Sequence, residues 1–125
     1  MMNRLATSNN IFQGTYKKVL CVCTGGVLRS PTAAVVLSQE PFNFNTRAAG
    51  IDEEIALIPV DEVLLSWADE IVCMETKHKD IVKKMLKYHE IEDTPVKVLN
   101  IPDRYSYRDR QLIELIKERY EEVSQ

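Results

Sequence analysis

Apolar positions cluster first at Lys18-Val-Leu-Cys-Val-Cys23, a nearly continuous run that suits a strand buried on both faces. Thr24-Gly-Gly-Val-Leu-Arg29 interrupts the run. Ser30 then serves as an N-cap and Pro31 as the first helical residue, with Ala33 to Leu37 as the helix body. Phe44 to Ala48 predicts a second strand, closed by Gly50. Pro59 to Trp67 predicts a second helix, started by Pro59 and Asp61 and buried through Val63, Leu64 and Trp67. Glu70-Ile-Val-Cys-Met74 reads as a third strand. Thr76 to His89 follows as an amphipathic helix with Ile81, Val82, Met85 and Leu86 in one stripe. Pro95 to Ile101 predicts a fourth strand, and Asp109 to Glu122 a last helix buried through Leu112, Ile113, Ile116 and Tyr120.

Strand and helix thus alternate four times, which predicts an α/β fold: a three-layer sandwich with a four-stranded parallel sheet between helices. Residues 1–15 are polar and without periodicity and are expected to form a flexible N-terminal arm; residues 16–125 are read as a single domain. In open α/β sheets, ligands bind outside the carboxyl ends of the strands. The loops beginning at Cys23, Ala49, Glu75 and Pro102 are therefore where chemistry is expected.

Composition narrows the choice by exclusion. With 16 basic and 19 acidic residues, a formal charge of −3 lacks the basic surplus of a nucleic-acid binder, so no nucleic-acid partner is expected. No apolar run reaches bilayer length and no secretory signal is read, so the expectation is a cytoplasmic protein with no membrane partner. Three cysteines, an odd number, suit a reducing compartment better than a disulfide framework. Two histidines, His78 and His89, give no zinc-ligand spacing, and neither metal nor cofactor is expected.

The chemistry concentrates after the first strand. Cys23 and Arg29 stand six residues apart across a turn that feeds a helix, whereas Val27 and Lys79 occupy that spacing from Cys21 and Cys73. Successive backbone N–H groups and a helix N-terminus make a concave anion site. Gly25 and Gly26 let the backbone approach the anion, and Arg29 offers two parallel donors to a tetrahedral oxyanion. Thr24, Gly25, Gly26, Val27, Leu28, Arg29 and Ser30 are the expected phosphate-binding residues, with inorganic phosphate or sulfate as an expected occupant. The same inward dipoles stabilise a thiolate at Cys23, placed for in-line attack on phosphorus, with Ser30 in reach to hydrogen-bond it. Cys21 is read as core packing on the face opposite Cys23, and Cys73 and Trp67 as core. His78 and His89, among the lysines of the third helix, are read as solvated.

The stretch V-L-C-V-C-T-G-G-V-L-R-S-P, ending at Pro31, resembles the active-site loop V-C-x-G-N-x-x-R-S-P of the low-molecular-weight protein tyrosine phosphatases. Arg47-Ala-Ala-Gly50 resembles the family's S-A-G turn, and Ala68-Asp-Glu-Ile-Val-Cys-Met74 its A-D-x-I-x-x-M strand. Ile101-Pro-Asp103 resembles the V-P-D of the general-acid loop, and the short chain is similar to a compact branch of predicted tyrosine phosphatases. The resemblance implies a hydrolase in which Cys23 forms a cysteinyl-phosphate, Arg29 clamps the phosphate and Asp103 acts as general acid and then base. It also implies that Tyr105 and Tyr107 wall the substrate pocket and that the substrate is a phosphorylated protein or small aryl phosphate. Three positions depart from the pattern: Gly26 replaces the loop asparagine, Leu28 a frequent second cysteine, and Arg104 the proline after the acid. Asp109 competes with Asp103 as the acid, but its position suits a helix cap. A phosphate- or phosphotyrosine-binding module with little turnover is the alternative reading. An arsenate reductase would need further mobile cysteines, and only Cys73 lies downstream.

Overall fold

Four parallel strands in the order β2-β1-β3-β4 carry the molecule, and the computed structural model describes residues 16–26 and 28–124 of it. In chain order the elements are β1 (Lys18–Cys23), α1 (Arg29–Ser38), β2 (Asn45–Gly50), α2 (Glu62–Trp67), β3 (Glu70–Cys73), α3 (Thr76–Tyr88), β4 (Val96–Val98) and α4 (Arg110–Val123). The expected arm at 1–15 and the loop residue Val27 lie outside the described residues. Among the described residues no helix is long and apolar enough to cross a membrane.

The continuous apolar run of β1 has its explanation in two cores. Val19, Cys21 and Cys23 pack on one face with Ala33, Leu37, Leu112, Ile116 and Tyr120 of α1 and α4. Leu20 and Val22 pack on the other with Leu64 and Leu65 of α2 and Val82 and Leu86 of α3. A strand buried on both sides cannot alternate apolar with polar, which is why it reads as a run. The alternation also corrects the reading of Cys21, which shares a face with Cys23 because strand side chains repeat every second residue. Strand order reverses between β1 and β3, so the carboxyl-edge crevice opens between the loop after Cys23 and the turn after Cys73.

Several local readings change. The first helix starts at Arg29 with Leu28 as its N-cap and no side-chain cap; Ser30 lies inside it because its hydroxyl is engaged by Cys23 and Ala49. Pro59 stays outside α2, since Gly50 exchanges backbone bonds with Ile58 (3.0 Å) and Val60 (2.9 Å) and keeps that segment extended. Asp61 caps α2 instead, accepting from the Leu64 N–H at 3.0 Å, and Leu65, not the 54% exposed Val63, is buried beside Leu64. The fourth strand is only three residues long, yet Leu99 and Ile101 still donate to the Cys73 and Met74 carbonyls at 2.9 and 2.8 Å and carry the chain toward Asp103. In α3 the buried positions are His78, Val82 and Leu86, with Ile81 exposed.

At the opposite, amino edge of the sheet a charge is buried. Glu70 is 2% exposed, and its carboxylate accepts from Lys97 Nζ (2.9 Å), Lys17 Nζ (3.1 Å) and Tyr120 Oη (2.8 Å). Burial alone would raise its pKa, but the bonds from Lys97, Tyr120 and Lys17 prevail and hold it below the ordinary value. A carboxylate depressed in the fold contributes stability above its unfolded pKa and loses it as pH falls through the folded one. Glu70→Gln is expected to cost about 1–3 kcal/mol near neutral pH. Urea denaturation should show that deficit shrinking as pH falls below the ordinary glutamate value of about 4.3, where the unfolded chain takes up the proton before the native carboxylate does.

Candidate active site

Cys23 ends β1 with its side chain buried at the floor of the carboxyl-edge crevice. The Gly26 N–H donates to its Sγ at 3.1 Å, and Ser30 Oγ lies 3.2 Å from the same sulfur. The Gly26 N–H donates to the sulfur, and the single Ser30 proton can serve either the sulfur or Ala49 O, at the start of a helix whose first N–H groups have no partner within the helix. The loop is bound to the exit of β2: the Ile51 and Asp52 N–H groups donate to the Cys23 and Thr24 carbonyls, each at 2.9 Å, and Ser30 Oγ donates to Ala49 O at 3.3 Å.

Gly26 has φ +68, in the region that favours glycine. Conformation is only half of its constraint. A Cβ built there would stand 2.7 Å from Gly50 N and 2.8 Å from Ala49 C, both backbone atoms. A Cβ on Gly50 would in turn meet Gly25 C at 2.6 Å and Ala56 Cβ at 2.8 Å. Loop and β2 exit thus touch backbone to backbone. Left-handed tolerance alone would permit asparagine at position 26; the packing excludes it.

Arg29 is 2% exposed, so its guanidinium must be compensated within the protein. Nη1 donates to Glu75 Oε2 at 2.5 Å and to Ile101 O at 2.8 Å. Nη2 lies 3.5 Å from Thr24 Oγ1, and Nε 3.7 Å from Asp103 Oδ1. The bond from Arg29 holds the Glu75 carboxyl below the usual range, against a smaller opposing effect of burial. Glu75 also caps α3: its side chain accepts from the His78 N–H while the His78 ring accepts from the Glu75 N–H.

A cavity of about 220 Å³ opens over this floor, lined by Cys23, Thr24, Gly25, Leu28, Arg29, Ile55 and Asp103. The expected nucleophile, clamp and acid are therefore brought together across 80 positions of sequence, Asp103 minus Cys23. Tyr105 and Tyr107 do not line that cavity. Tyr105 packs against the α1–α4 core with the Arg104 guanidinium 5.5 Å from its ring centroid, and Tyr107 is half exposed. Apolar Leu28 and Ile55 stand in the walls instead. Asp109 caps α4, accepting from the Gln111 N–H at 2.8 Å, as its sequence position suggests. A larger groove at the far end of α3, between Lys83, Leu86 and Asp93, has mixed charge and no nucleophile.

Three site residues escape the sequence reading. His78 is buried, not solvated, because both ring nitrogens have partners at the mouth of α3. Glu75 carries a weak signal, an acid four residues before Lys79 at a strand end, indistinguishable from a surface pair. Ile55 has no signal beyond its place in a carboxyl-edge loop. From the glycine packing, Gly26→Asn is expected to lower stability by about 1–3 kcal/mol, the usual effect of overpacking, and not to improve the loop. Thermal unfolding beside anion affinity checks this; a variant at least as stable as the parent and binding as tightly contradicts it.

No family model and no curated protein sequence matches the chain. Among solved structures it is similar to Wzb from Vibrio vulnificus in complex with benzylphosphonate, with 20% identity and a TM-score of 0.66 over 86% of this chain and 96% of that one. It is also similar to a low-molecular-weight protein tyrosine phosphatase from Streptococcus pyogenes, with 16% identity and a TM-score of 0.65 over 85% and 89%. The YwlE arginine phosphatase from Geobacillus stearothermophilus matches at 20% identity and a TM-score of 0.60 over 86% and 93%. A parallel four-stranded sheet flanked by helices is thus common ground, and the chain has the fold of the low-molecular-weight protein tyrosine phosphatases.

Proposed function

We propose that the protein is a phosphate-monoester hydrolase of the protein tyrosine phosphatase type, working through a cysteinyl-phosphate. The observation that carries this reading is the convergence of the Gly26 N–H and Ser30 Oγ on Cys23 Sγ, beneath a cavity that Arg29 and Asp103 also line. In the first step the Cys23 thiolate attacks phosphorus, an S–P bond forms and the P–O bond to the leaving group breaks. Asp103 donates a proton to the departing oxygen. In the second step Asp103, now a carboxylate, takes a proton from water, the water oxygen attacks phosphorus and the S–P bond breaks, releasing phosphate. With Nη1 of Arg29 engaged by Glu75 and Ile101, Nε and Nη2 are the parallel pair offered to the phosphoryl oxygens. The Thr24, Gly25 and Leu28 segments of the loop and the helix start complete the anion site. No step requires a metal.

The substrate proposed is a phosphorylated protein or small aryl phosphate. Leu28 and Ile55, in place of the expected Tyr105 and Tyr107, offer an apolar slot for a phenyl ring. Because one structural relative is described as an arginine phosphatase, phosphotyrosine and phosphoarginine peptides should be compared directly. An arsenate reductase is disfavoured: Cys21 and Cys73 are buried strand residues, and burial pushes the Cys73 thiol up to about 12, leaving no accessible thiol among the described residues to resolve an arsenylated Cys23. Three free, buried cysteines suit a reducing compartment, and we place the protein in the cytoplasm.

The full chain should hydrolyse p-nitrophenyl phosphate in EDTA between pH 5 and 7, and Cys23→Ser should abolish turnover while retaining vanadate binding. Absence of wild-type turnover with phosphate still bound would instead favour the binding-module reading. Asp103→Ala should slow aryl phosphates with poor leaving groups by about 10²–10⁴-fold and good leaving groups far less. Equal losses across the series would assign the acid elsewhere.

A further inference from the structure

His78 lies on a helix rich in exposed lysines, yet it is 1% exposed and both ring nitrogens are engaged. The Glu75 backbone N–H donates to Nδ1 at 3.0 Å, so Nδ1 is the unprotonated nitrogen. A neutral imidazole then carries its proton on Nε2, which donates to Thr24 Oγ1 at 2.9 Å. Burial first, then the positive charges of Arg29 and Lys77, lower the His78 pKa to about 4 against the opposing pull of Glu75 and Asp103. The ring is therefore neutral, with one tautomer, throughout the pH range of interest.

The consequence falls on Thr24. Its oxygen accepts from His78 Nε2 at 2.9 Å and is approached by one of the two Arg29 Nη2 protons at 3.5 Å, so two donors face the hydroxyl oxygen. The hydroxyl proton is left for an acceptor on the remaining side, which is the cavity that Thr24 lines beside Cys23 and Arg29. We infer that the Thr24 hydroxyl donates a hydrogen bond to the tetrahedral oxyanion bound over Cys23, and that His78 is the positioning residue that aims it. A free hydroxyl rotor would offer the anion donor and acceptor orientations alike; the imidazole removes the wrong ones before binding. The inference rests on the phosphoryl-transfer reading for the identity of the anion.

Two measurements on the full chain test it. In ¹⁵N-histidine NMR spectra between pH 5 and 8, His78 should show only the Nε2–H tautomer and should not titrate; an Nδ1–H tautomer, or titration near 6.5, overturns the inference. The second measurement is affinity for inorganic phosphate and orthovanadate. Thr24→Val should weaken both by about tenfold or more, as expected for losing a bond to a charged acceptor. Thr24→Ser should recover most of that loss. His78→Asn keeps an acceptor for the Glu75 N–H but is too short to reach Thr24; it should weaken binding about three- to tenfold with α3 still capped. Combined with Thr24→Val it should add almost nothing, because the two residues deliver one bond. Unchanged affinity in Thr24→Val, or additive losses in the double variant, overturns the inference. Retained anion affinities of this pattern without hydrolysis would overturn the proposed hydrolase and leave the Thr24–His78 donor standing.

Discussion

A guanidinium with almost no access to water needs a carboxylate and carbonyl oxygens around it, and Arg29 obtains them from three different loops. Glu75 comes from the turn after β3, Ile101 from the chain leaving β4, and Thr24 from the loop after β1. Each partner has a second duty. Glu75 caps α3, Ile101 is seated by its N–H on Met74 O at 2.8 Å, and Thr24 meets His78. Compensation of one buried charge thus fixes the mutual positions of the segments that bound the crevice. Asp103, two residues beyond Ile101, is carried to the cavity by the same anchorage.

Among the described residues two charged side chains, Glu70 and Arg29, are buried at opposite edges of the sheet, and they are built differently. Glu70 at the amino edge accepts close bonds from Lys17, Lys97 and Tyr120 together, at 3.1, 2.9 and 2.8 Å. Arg29 at the carboxyl edge keeps Nε and Nη2 at long distances, 3.7 and 3.5 Å, on the side where the cavity opens. A saturated cluster has nothing left for a ligand. An under-saturated one does, and that contrast separates a structural ion cluster from a candidate site on physical grounds.

Much of this was legible in the amino-acid order. The four strand–helix pairs follow from apolar runs and caps, and the β1 boundaries agree at both ends because Lys18 and Thr24 break an unambiguous run. Cys23, Arg29 and Asp103 could be assembled because the parallel topology sends every strand's carboxyl end to one edge. What stayed hidden depends on partners distant in sequence. His78 looks solvated among lysines until the Thr24 hydroxyl, 54 positions away, is seen to meet it. Ser30 looks like a cap until the sulfur it faces is placed. Ile55, rather than the tyrosines after Asp103, reaches the cavity because the segment leaving β2 is held against the loop by Cys23 and Thr24 carbonyls, a contact that no local pattern encodes.

The glycine-to-glycine contact has one more implication. Since a side chain at Gly26 would need the space of the Ala49–Gly50 backbone, and one at Gly50 the space of Gly25 and Ala56, the identity of the loop residue and the path of the chain leaving β2 are a single variable. Asparagine could enter the loop only if the β2 exit moved outward, which would also displace Ala56 and the Ile55 wall of the cavity. The residue at position 26 and the position of the Ile55 wall are accordingly fixed together, and a side chain added at either glycine would be felt in the shape of the cavity.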